Sequence, residues 1–340
     1  MVKGEQLCIA PPIFLRKMLK YQIMKSTFNQ ITFIKSLLRF SPRQLKGETM
    51  AAEFIKKTLG ERGIGYKEQK FTTFIPQTKR AVLLADDKKI PCQACCYVGG
   101  IIEGKDFLLS SLIPSRFFLE KPNINFNPEC PKTISCSNFY FAPAVAVPRD
   151  EVQKLLIAKR VRGKVTVKKV QHGAVNILVG NTKNPKTICF AHYDSINMGA
   201  IDNASGVATM MGAIIFRPNT LTNTLYVFSA NEELSYDKPT YWGHGFRVFE
   251  QKFFGIMQSA KKIVVIDSLG NGPTHVTQNR NLQYLSFPIN NIESLRSKIF
   301  AMFGDFHHLM SVYHSDADTL DGLRERYLKE ATRKLLVLCS

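Results

Sequence analysis

The sequence lacks several features that would define its class at once. It has no run of about 20 apolar residues, the length that a helix needs to cross a bilayer, and the longest candidate, residues 206–216, is about half as long. Internal repeats and low-complexity tracts are also missing. With 45% hydrophobic and 21% charged residues, the chain is therefore predicted to be globular, not membrane-spanning, collagen-like or coiled-coil.

A secretory signal is not evident. The apolar stretch 7–15 is broken by Pro11 and Pro12 and runs directly into Arg16 and Lys17, unlike a signal peptide. We therefore expect a cytoplasmic protein, with a secreted or periplasmic location left open.

The eight cysteines do not imply disulfides in a cytoplasmic chain. Five of them form a cluster with irregular spacing and no histidine partners, so buried thiols are expected, with a structural metal or a disulfide as the alternative. The cluster consists of Cys92, Cys95, Cys96, Cys130 and Cys136.

Acidic residues are scarce in the first half of the chain. Residues 1–186 hold 32 basic and 13 acidic side chains, a net charge of +19, whereas residues 187–340 hold 14 basic and 14 acidic ones. A basic half can meet nucleic acid, an anionic membrane or an acidic substrate. Because its Lys and Arg residues are scattered and no known nucleic-acid module accompanies them, we interpret the excess as a solvated surface and do not expect a nucleic-acid partner.

The order of predicted elements indicates an α/β fold. Strands that alternate with helices predict a mostly parallel mixed sheet sandwiched between helices. The predicted strands of this part are 175–179, 187–192, 224–230 and 262–267, and the predicted helices are 203–216, 291–302 and 322–337.

The first half divides into three parts. Residues 1–40 form a basic N-terminal helical segment. A helix that begins at Ser41-Pro42 opens residues 41–85, which are assigned with 171–340 to one catalytic domain. Between them, short apolar runs separated by Pro, Gly and Asn predict a small β-rich inserted domain over 86–170. Further strands are predicted at 66–74, 81–84 and 164–170.

Six acidic and histidine residues are placed to form a site. Four of them lie at the carboxyl ends of predicted strands, the edge at which open α/β sheets bind ligands. Imidazole and carboxylate are normal ligands of Zn²⁺, and one carboxylate can contact two ions. A site for two divalent metals is therefore predicted. The strand-end residues are His192, Glu232, Glu233 and Asp267, and Asp202 and His314 lie in loops.

Two further features suit hydrolysis. The side chains of Glu232 and Glu233 point in different directions at a strand end, so one can bind a metal while the other acts as a general base. Asp194 lies two residues after His192, on the same face of an extended chain, where it can orient the imidazole.

At these residues the chain resembles the co-catalytic zinc aminopeptidases of metallopeptidase family 28, of the bacterial leucyl-aminopeptidase type. The resemblance covers residues 173–320 well and 42–74 more loosely, and it implies a zinc-peptidase/phosphorylase-like fold. The insert vaguely resembles a protease-associated domain. Five segments carry the resemblance in the family's order: Ala191–Ser195, Gly199–Ala208, Val227–Glu233, Val265–Ser268 and Tyr313–Thr319.

The resemblance implies a role for each candidate residue. Glu232 would take a proton from the attacking water and return it to the leaving amine of a peptide substrate. Asp202-Asn203 would form a cis peptide. Two Zn²⁺ ions, or Co²⁺ or Mn²⁺, would be bound, one by His192 and Asp267 and the other by Glu233 and His314, with Asp202 bridging them.

The stretch Leu234–Phe246 departs from the Gly-rich turn of the family. Tyr241, Trp242 and Phe246 are candidates for lining an apolar pocket, with packing as the alternative. Four other histidines, His244, His275, His307 and His308, match no ligand of the family and are expected to be structural or exposed.

Several other functions remain open from the residues alone. A single-zinc enzyme resembling glutaminyl cyclase shares the fold, and a carboxypeptidase or deacetylase of a neighbouring family shares the His-x-Asp and Glu-Glu patterns. A non-catalytic binding protein on the same scaffold is the third alternative.

Overall fold

The structure is a computed structural model that describes residues 28–111 and 120–340. Most of the predicted N-terminal segment, residues 1–27, lies outside these ranges, and residues 28–40 contain the first described helix. The helices are α1 (Gln30–Leu37), α2 (Lys46–Gly60), α3 (Val152–Ile157), α4 (Ser205–Phe216), α5 (His244–Ser259), α6 (Arg280–Ser286), α7 (Ile292–Leu295), α8 (Phe306–Val312) and α9 (Glu325–Leu338).

Thirteen strands are present in the described ranges, and they form two sheets. They are β1 (Lys67–Ala85), β2 (Lys88–Ile90), β3 (Gln93–Ala94), β4 (Gly100–Glu103), β5 (Leu108–Ser110), β6 (Asn123–Phe126), β7 (Ala144–Ala146), β8 (Val161–Gly180), β9 (Thr187–His192), β10 (Thr224–Ser229), β11 (Lys262–Ile266), β12 (His275–Thr277) and β13 (Ile299–Phe303).

The larger sheet has nine strands in the order β12-β13-β11-β9-β10-β8-β1-β2, with β4 paired to β8. Strands β13, β11, β9 and β10 are parallel, and the outer pairings are antiparallel. Every residue of β9 and β10 is buried, as expected when helices cover both faces of a parallel sheet. The predicted mixed sheet between helices is confirmed.

Helices pack on both faces of this sheet because each presents a buried apolar surface. All residues of α4 except its last are buried, and an apolar helix of this kind is stable only inside a core. On the opposite face, Phe190 of β9 contacts the rings of Phe246, Phe249 and Phe287 at centroid distances of 5.7, 5.0 and 4.7 Å. Each buried Phe contributes about 1.5–3 kcal/mol, so this aromatic cluster anchors α5 beneath the central strands.

The long antiparallel strands β1 and β8 belong to the larger sheet, and their far ends share an apolar cluster with the smaller sheet. The strands predicted separately at 66–74 and 81–84 are one continuous strand, and so are those predicted at 164–170 and 175–179. The four-stranded sheet, β3-β7-β6-β5, lies within residues 93–146. The proposed boundaries of the insert stay a prediction, and the one at residue 170 lies inside β8.

Two predicted helices were wrong in part. The helix expected over 291–302 is a short α7 followed by a turn and the strand β13, because its last apolar residues pair in parallel with β11. Short apolar runs do not distinguish helix from strand by periodicity. The helix expected from Ser41 begins at Lys46 instead, and the Ser41 hydroxyl donates to the Met198 carbonyl at 2.7 Å.

The five clustered cysteines are all free thiols, buried except for the half-buried Cys92. Burial raises the pKa of the Cys92 thiol to about 11 and that of the Cys95 thiol well above its ordinary value. Over residues 28–111 and 120–340, none of the helices combines the length and apolar character that a bilayer span requires.

Candidate metal centre

The carboxyl ends of three neighbouring parallel strands form the base of the site. Strand β9 lies between β10 and β11 and pairs with both in parallel. It ends at His192, β10 is followed by Glu232 and Glu233, and β11 is followed by Asp267. Because parallel strands end at the same edge of a sheet, these four side chains reach one cleft.

The first donor group consists of His192, Asp202 and Asp267. The Nε2 atom of His192 lies 3.2 Å from Asp202 Oδ1 and 3.7 Å from Asp267 Oδ1. One potential ligand atom from each residue lies within 4.8 Å of the other two. The separations suit three ligands around one cation of the zinc type.

The second donor group consists of Asp202, Glu233 and His314. The Nε2 atom of His314 lies 2.9 Å from Glu233 Oε2 and 3.5 Å from Asp202 Oδ2, and the three ligand atoms again lie within 4.8 Å of one another. Asp202 thus presents Oδ1 to the first group and Oδ2 to the second. A carboxylate placed in this way can contact two ions at once.

A third set, His192, Glu232 and Glu233, meets the same distance criterion. Glu232 therefore lies close enough to the donors to act on a water molecule among them or to bind a metal itself. The family resemblance implies the first role for Glu232, and the geometry allows both.

The residues of the two donor groups fit a pair of metal ions. Asp202 Oδ1, Glu233 Oε1 and His314 Nε2 are buried, yet none of them has a hydrogen-bond partner of suitable geometry. Buried polar atoms without partners cost about 1–3 kcal/mol each. A bound cation would give these three atoms a common partner. Mixed imidazole and carboxylate donors are those that zinc and similar divalent metals prefer.

Electrostatics lead to the same conclusion. Burial raises the pKa of Glu232 well above its ordinary value and also raises the pKa of Glu233. Burial opposes charge on His192 and His314 as well, but the neighbouring carboxylates outweigh it and raise the pKa of both imidazoles. Protons on the imidazoles and glutamates therefore balance the negative charge of the carboxylates. Bound cations would balance the same charge.

Asp194 holds the glutamate pair in place. Its Oδ1 accepts a hydrogen bond from the Glu232 backbone N–H at 3.0 Å, and its Oδ2 accepts one from the Glu233 backbone N–H at 2.9 Å. Oδ1 also lies 3.4 Å from His192 Nδ1. The sequence predicted only the contact with His192. In the structure, the Asp194 carboxylate also holds the backbone that follows β10, so it supports the ends of both β9 and β10.

Arg43 is completely buried beneath the site and was not predicted to take part in it. It was read as part of a helix start, but its guanidinium donates to the carbonyls of Tyr193, Met198 and Gly199 at 2.6, 3.0 and 2.8 Å. These bonds shape the loop that leads from His192 to Asp202. No signal in the sequence distinguishes this arginine from the many exposed ones.

Asp318 lies in the segment Tyr313–Thr319, and no role was predicted for it from the sequence. Its Oδ1 and Oδ2 accept hydrogen bonds from the backbone N–H groups of Ile201 and Asp202 at 2.7 and 3.0 Å. Burial raises the pKa of Asp318 to about 7. The peptide bond between Asp202 and Asn203 is cis, as the family resemblance implied.

Glu48 holds Asn231, the residue directly before the glutamate pair, and it was not predicted from the sequence either. Its Oε1 accepts from the backbone N–H of Asn231 at 2.9 Å, and its Oε2 lies 2.7 Å from His172 Nε2. Burial raises the pKa of Glu48 to about 7. The pKa of His172, which burial alone would lower, is raised by Glu48.

An apolar pocket opens beside the donors. Tyr241 and Trp242 line it, as predicted, whereas Phe246 is buried against Phe190 and Phe287 beneath the sheet. For Phe246, the packing alternative therefore applies. The other apolar side chains of the wall are Val265, Leu282, Leu285, Ala301, Met302, Phe303, Phe306 and Leu309.

Donor groups of this composition, on the strand ends of a mixed sheet and beside an apolar pocket, are typical of metal-dependent hydrolases. Residues 175–236 match the family described as Peptidase family M28. This segment contains every strand-end donor except Asp267. Over this segment the chain is therefore similar to peptidases of family M28.

Solved structures share the fold across nearly the whole chain. A zinc aminopeptidase from Bacillus subtilis is 13% identical, with 91% of this chain and 93% of that chain covered and a TM-score of 0.65. A Peptidase M28 precursor from Shewanella amazonensis is 13% identical, with 96% and 95% covered and a TM-score of 0.65. An aminopeptidase from Aneurinibacillus sp. strain AM-1 is 15% identical, with 89% and 90% covered and a TM-score of 0.58. No curated protein sequence matches the chain closely enough to count as a relative.

Proposed function

We propose that the protein is a dizinc aminopeptidase that removes N-terminal residues from peptides. The observation that carries the proposal is the pair of donor groups that share Asp202 and lie beside an apolar pocket. His192 and Asp267 would hold one ion, Glu233 and His314 the other, and Asp202 both. Structural similarity to aminopeptidases supports this choice among the activities of metallopeptidases.

Zinc held by these residues would supply a Lewis acid that activates water and polarises the scissile carbonyl. Glu232 serves as the general base: it takes the proton of the attacking water and delivers it to the leaving amine. Its location in a buried cleft, with a pKa raised by burial, is typical of catalytic carboxylates. Asp194 fixes the base by accepting the hydrogen bond of its backbone N–H.

The apolar wall gives the substrate side chain its binding site. Trp242 and Tyr241 are held in place by their surroundings, since the Trp242 indole N–H donates to the Leu285 carbonyl at 3.1 Å and the two rings pack edge to face at 5.1 Å. A pocket lined in this way favours N-terminal residues with large apolar side chains, because their burial contributes about 1.5–3 kcal/mol.

The test combines metal analysis with a substrate panel. The purified full chain should contain two zinc ions, lose its activity when a chelator removes them, and regain it when zinc is restored. Leucyl and phenylalanyl fluorogenic amides should be cleaved faster than glutamyl or lysyl amides. Their N-acetylated counterparts, which lack a free α-amine, should be resistant.

The same panel decides between the alternatives. One zinc ion per chain together with formation of pyroglutamate from N-terminal glutamine would replace the proposal with a glutaminyl-cyclase activity. Cleavage of the N-acetylated amides or of C-terminal residues would identify a deacylase or a carboxypeptidase. Zinc binding without turnover of any substrate would favour a binding protein on the same scaffold.

A further inference from the structure

The four-stranded sheet contributes a segment that touches the metal centre. Residues 127–137, which follow β6, lie against residues 310–315, here called the His314 segment. The two segments are far apart in the sequence: Cys136 and His314 are separated by 178 positions. Residues Ser135 and Ser315 form an antiparallel bridge between them.

Hydrogen bonds join the two segments along their length. The Asn127 side-chain amide donates to the Met310 carbonyl at 2.8 Å, and the Ser135 hydroxyl donates to the Tyr313 carbonyl at 2.5 Å. The backbone N–H of Cys136 donates to the His314 carbonyl at 3.2 Å. Asn127, Ser135, Cys136 and His314 are buried, so water competes little for the bonds and each contributes about 0.5–1.5 kcal/mol.

A further hydrogen bond is made by the imidazole ring of His314. His314 Nδ1 lies 3.0 Å from the carbonyl oxygen of Cys136. A carbonyl oxygen can only accept, so Nδ1 must carry the proton and a neutral ring is left with its lone pair on Nε2. That nitrogen faces Glu233 and Asp202. The carbonyl thus selects the tautomer and ring orientation that a metal ligand requires.

The Ser135 hydroxyl makes three hydrogen bonds, which occupy its one donor and two acceptor positions. It accepts from the Asn127 amide at 3.0 Å and pairs with the Ser137 hydroxyl at 3.0 Å while it donates to Tyr313. A hydroxyl has one donor and two acceptor positions, so the direction of every bond is determined. Removal of the Ser135 hydroxyl therefore leaves the Asn127 amide and the Tyr313 carbonyl without this partner.

The same sheet reaches the His314 segment by a second route. Gln93 of β3 exchanges two hydrogen bonds with Asn197, at 3.1 and 3.3 Å, and the Asn197 amide donates to the His314 carbonyl at 2.7 Å. The carbonyl of His314 is thus held from two sides, by Cys136 and by Asn197.

We propose that the 127–137 segment is a positioning element of the metal centre, which holds His314 as a ligand through the Cys136 carbonyl and the Ser135 hydroxyl. The inference rests on the proposed function and adds a role for the four-stranded sheet. The sheet is then required for the second metal ion, and not only for substrate access or overall stability.

Zinc titration of the metal-free full chain tests the proposal. Ser135→Ala and the isosteric Asn127→Asp should each weaken one of two zinc sites by about 10–100-fold, the usual effect of losing an outer partner of a ligand, and leave the other site unchanged. Ser137→Ala is the matched control, because Ser137 contacts Ser135 but not the His314 segment. If both variants bind two zinc ions as the wild type does, or if both sites weaken equally, the proposal is wrong.

A measurement on the unsubstituted protein does not depend on the folding of any variant. In a long-range proton–nitrogen NMR spectrum of the zinc-loaded chain, His314 should carry a proton on Nδ1 that exchanges slowly with solvent. The signal is assigned by its loss in His314→Gln, and the exchange should accelerate in Ser135→Ala. A rapidly exchanging or absent Nδ1 proton in the wild type overturns the inference. Failure of the wild type to bind two zinc ions would instead refute the proposed function.

Discussion

The two histidines of the donor cluster are held by different means. His192 is the last residue of a fully buried strand between two parallel neighbours, and Asp194 lies only two residues away. His314 has a backbone φ of 50° in a loop after α8 and depends on hydrogen bonds from a distant segment. The ladder of the sheet orients the first donor, whereas tertiary contacts must orient the second.

This difference predicts which substitutions each of the two regions tolerates. A strand end is fixed by many backbone hydrogen bonds, so no single side chain outside the site determines its position. A loop residue at positive φ is uncommon and persists only where its surroundings hold it. We therefore expect substitutions around the two regions to differ in which metal they affect.

The largest effect is expected from Asp202→Asn, because Asp202 belongs to both donor groups. An amide offers one neutral acceptor in place of two charged oxygens, so both ions should be lost together. We expect zinc affinity to fall by more than about 100-fold at both sites, beyond the range for outer partners. Metal analysis after dialysis measures this, with the exposed Asp150→Asn as control. Retention of two ions would show that Asp202 does not bridge them.

Glu232→Gln and Glu233→Gln form a matched pair that separates base from ligand. We expect Glu232→Gln to keep both metals and lose about 10²–10⁴-fold in kcat, the usual contribution of a general base. Glu233→Gln should lose the metal on the His314 side. Zinc content and kcat measured side by side decide the matter. Loss of one ion in Glu232→Gln would make that residue a ligand, as the set with His192 allows.

Asp194→Asn tests the strand-end region without replacing a proposed ligand. The amide group of asparagine would face a backbone N–H of the glutamate pair, so one hydrogen bond is lost. We expect activity to fall by about 10–100-fold and the free energy of unfolding to fall by about 1–3 kcal/mol. Kinetics and urea unfolding measure the two quantities. If neither the activity nor the free energy of unfolding changes, Asp194 does not hold the strand ends in place.

The smallest effect is expected from Glu48→Gln, which leaves the donors intact. The pKa of Glu48 is raised by burial to about 7 and that of His172 is raised by Glu48. Groups whose pKa is raised by folding stabilise the fold at low pH and lose that contribution as the pH increases through the folded pKa. The free energy of unfolding of the wild type should therefore decrease between about pH 5 and 8 relative to the variant, by about 1–3 kcal/mol.

Urea unfolding of both proteins across this pH range is the measurement. Glutamine keeps the acceptor for the Asn231 backbone N–H, so the variant is expected to fold. Parallel pH curves for wild type and Glu48→Gln would show that Glu48 does not titrate in this range.

The strand-end donors were accessible to sequence analysis for a physical reason. Strands β9, β10 and β11 are short buried runs, and a polar residue directly after such a run has to emerge at the edge of the sheet. The bounds of β9 agree with the predicted strand, residues 187–192. By contrast, β13 was predicted as part of a helix, because only its pairing with β11 makes it a strand.

The supporting residues could not be predicted in the same way. Arg43 looks like any basic residue of a positively charged half, and its burial follows from carbonyls that the loop after His192 presents to it. The role of Cys136 is exerted by its backbone carbonyl, which every residue type possesses. No pattern of side chains in the sequence encodes such contacts.

The sequence by itself determined the parallel centre of the sheet, the types of donor and their placement at strand ends, since local hydrophobic runs and the residues that follow them are local properties of the chain. Only the tertiary structure decided that His314 points its Nε2 toward Asp202 and Glu233, that Asp194 anchors two glutamates, and that a second sheet contacts the site. These features depend on groups brought together from distant parts of the chain, and their energies exist only once the whole fold has formed.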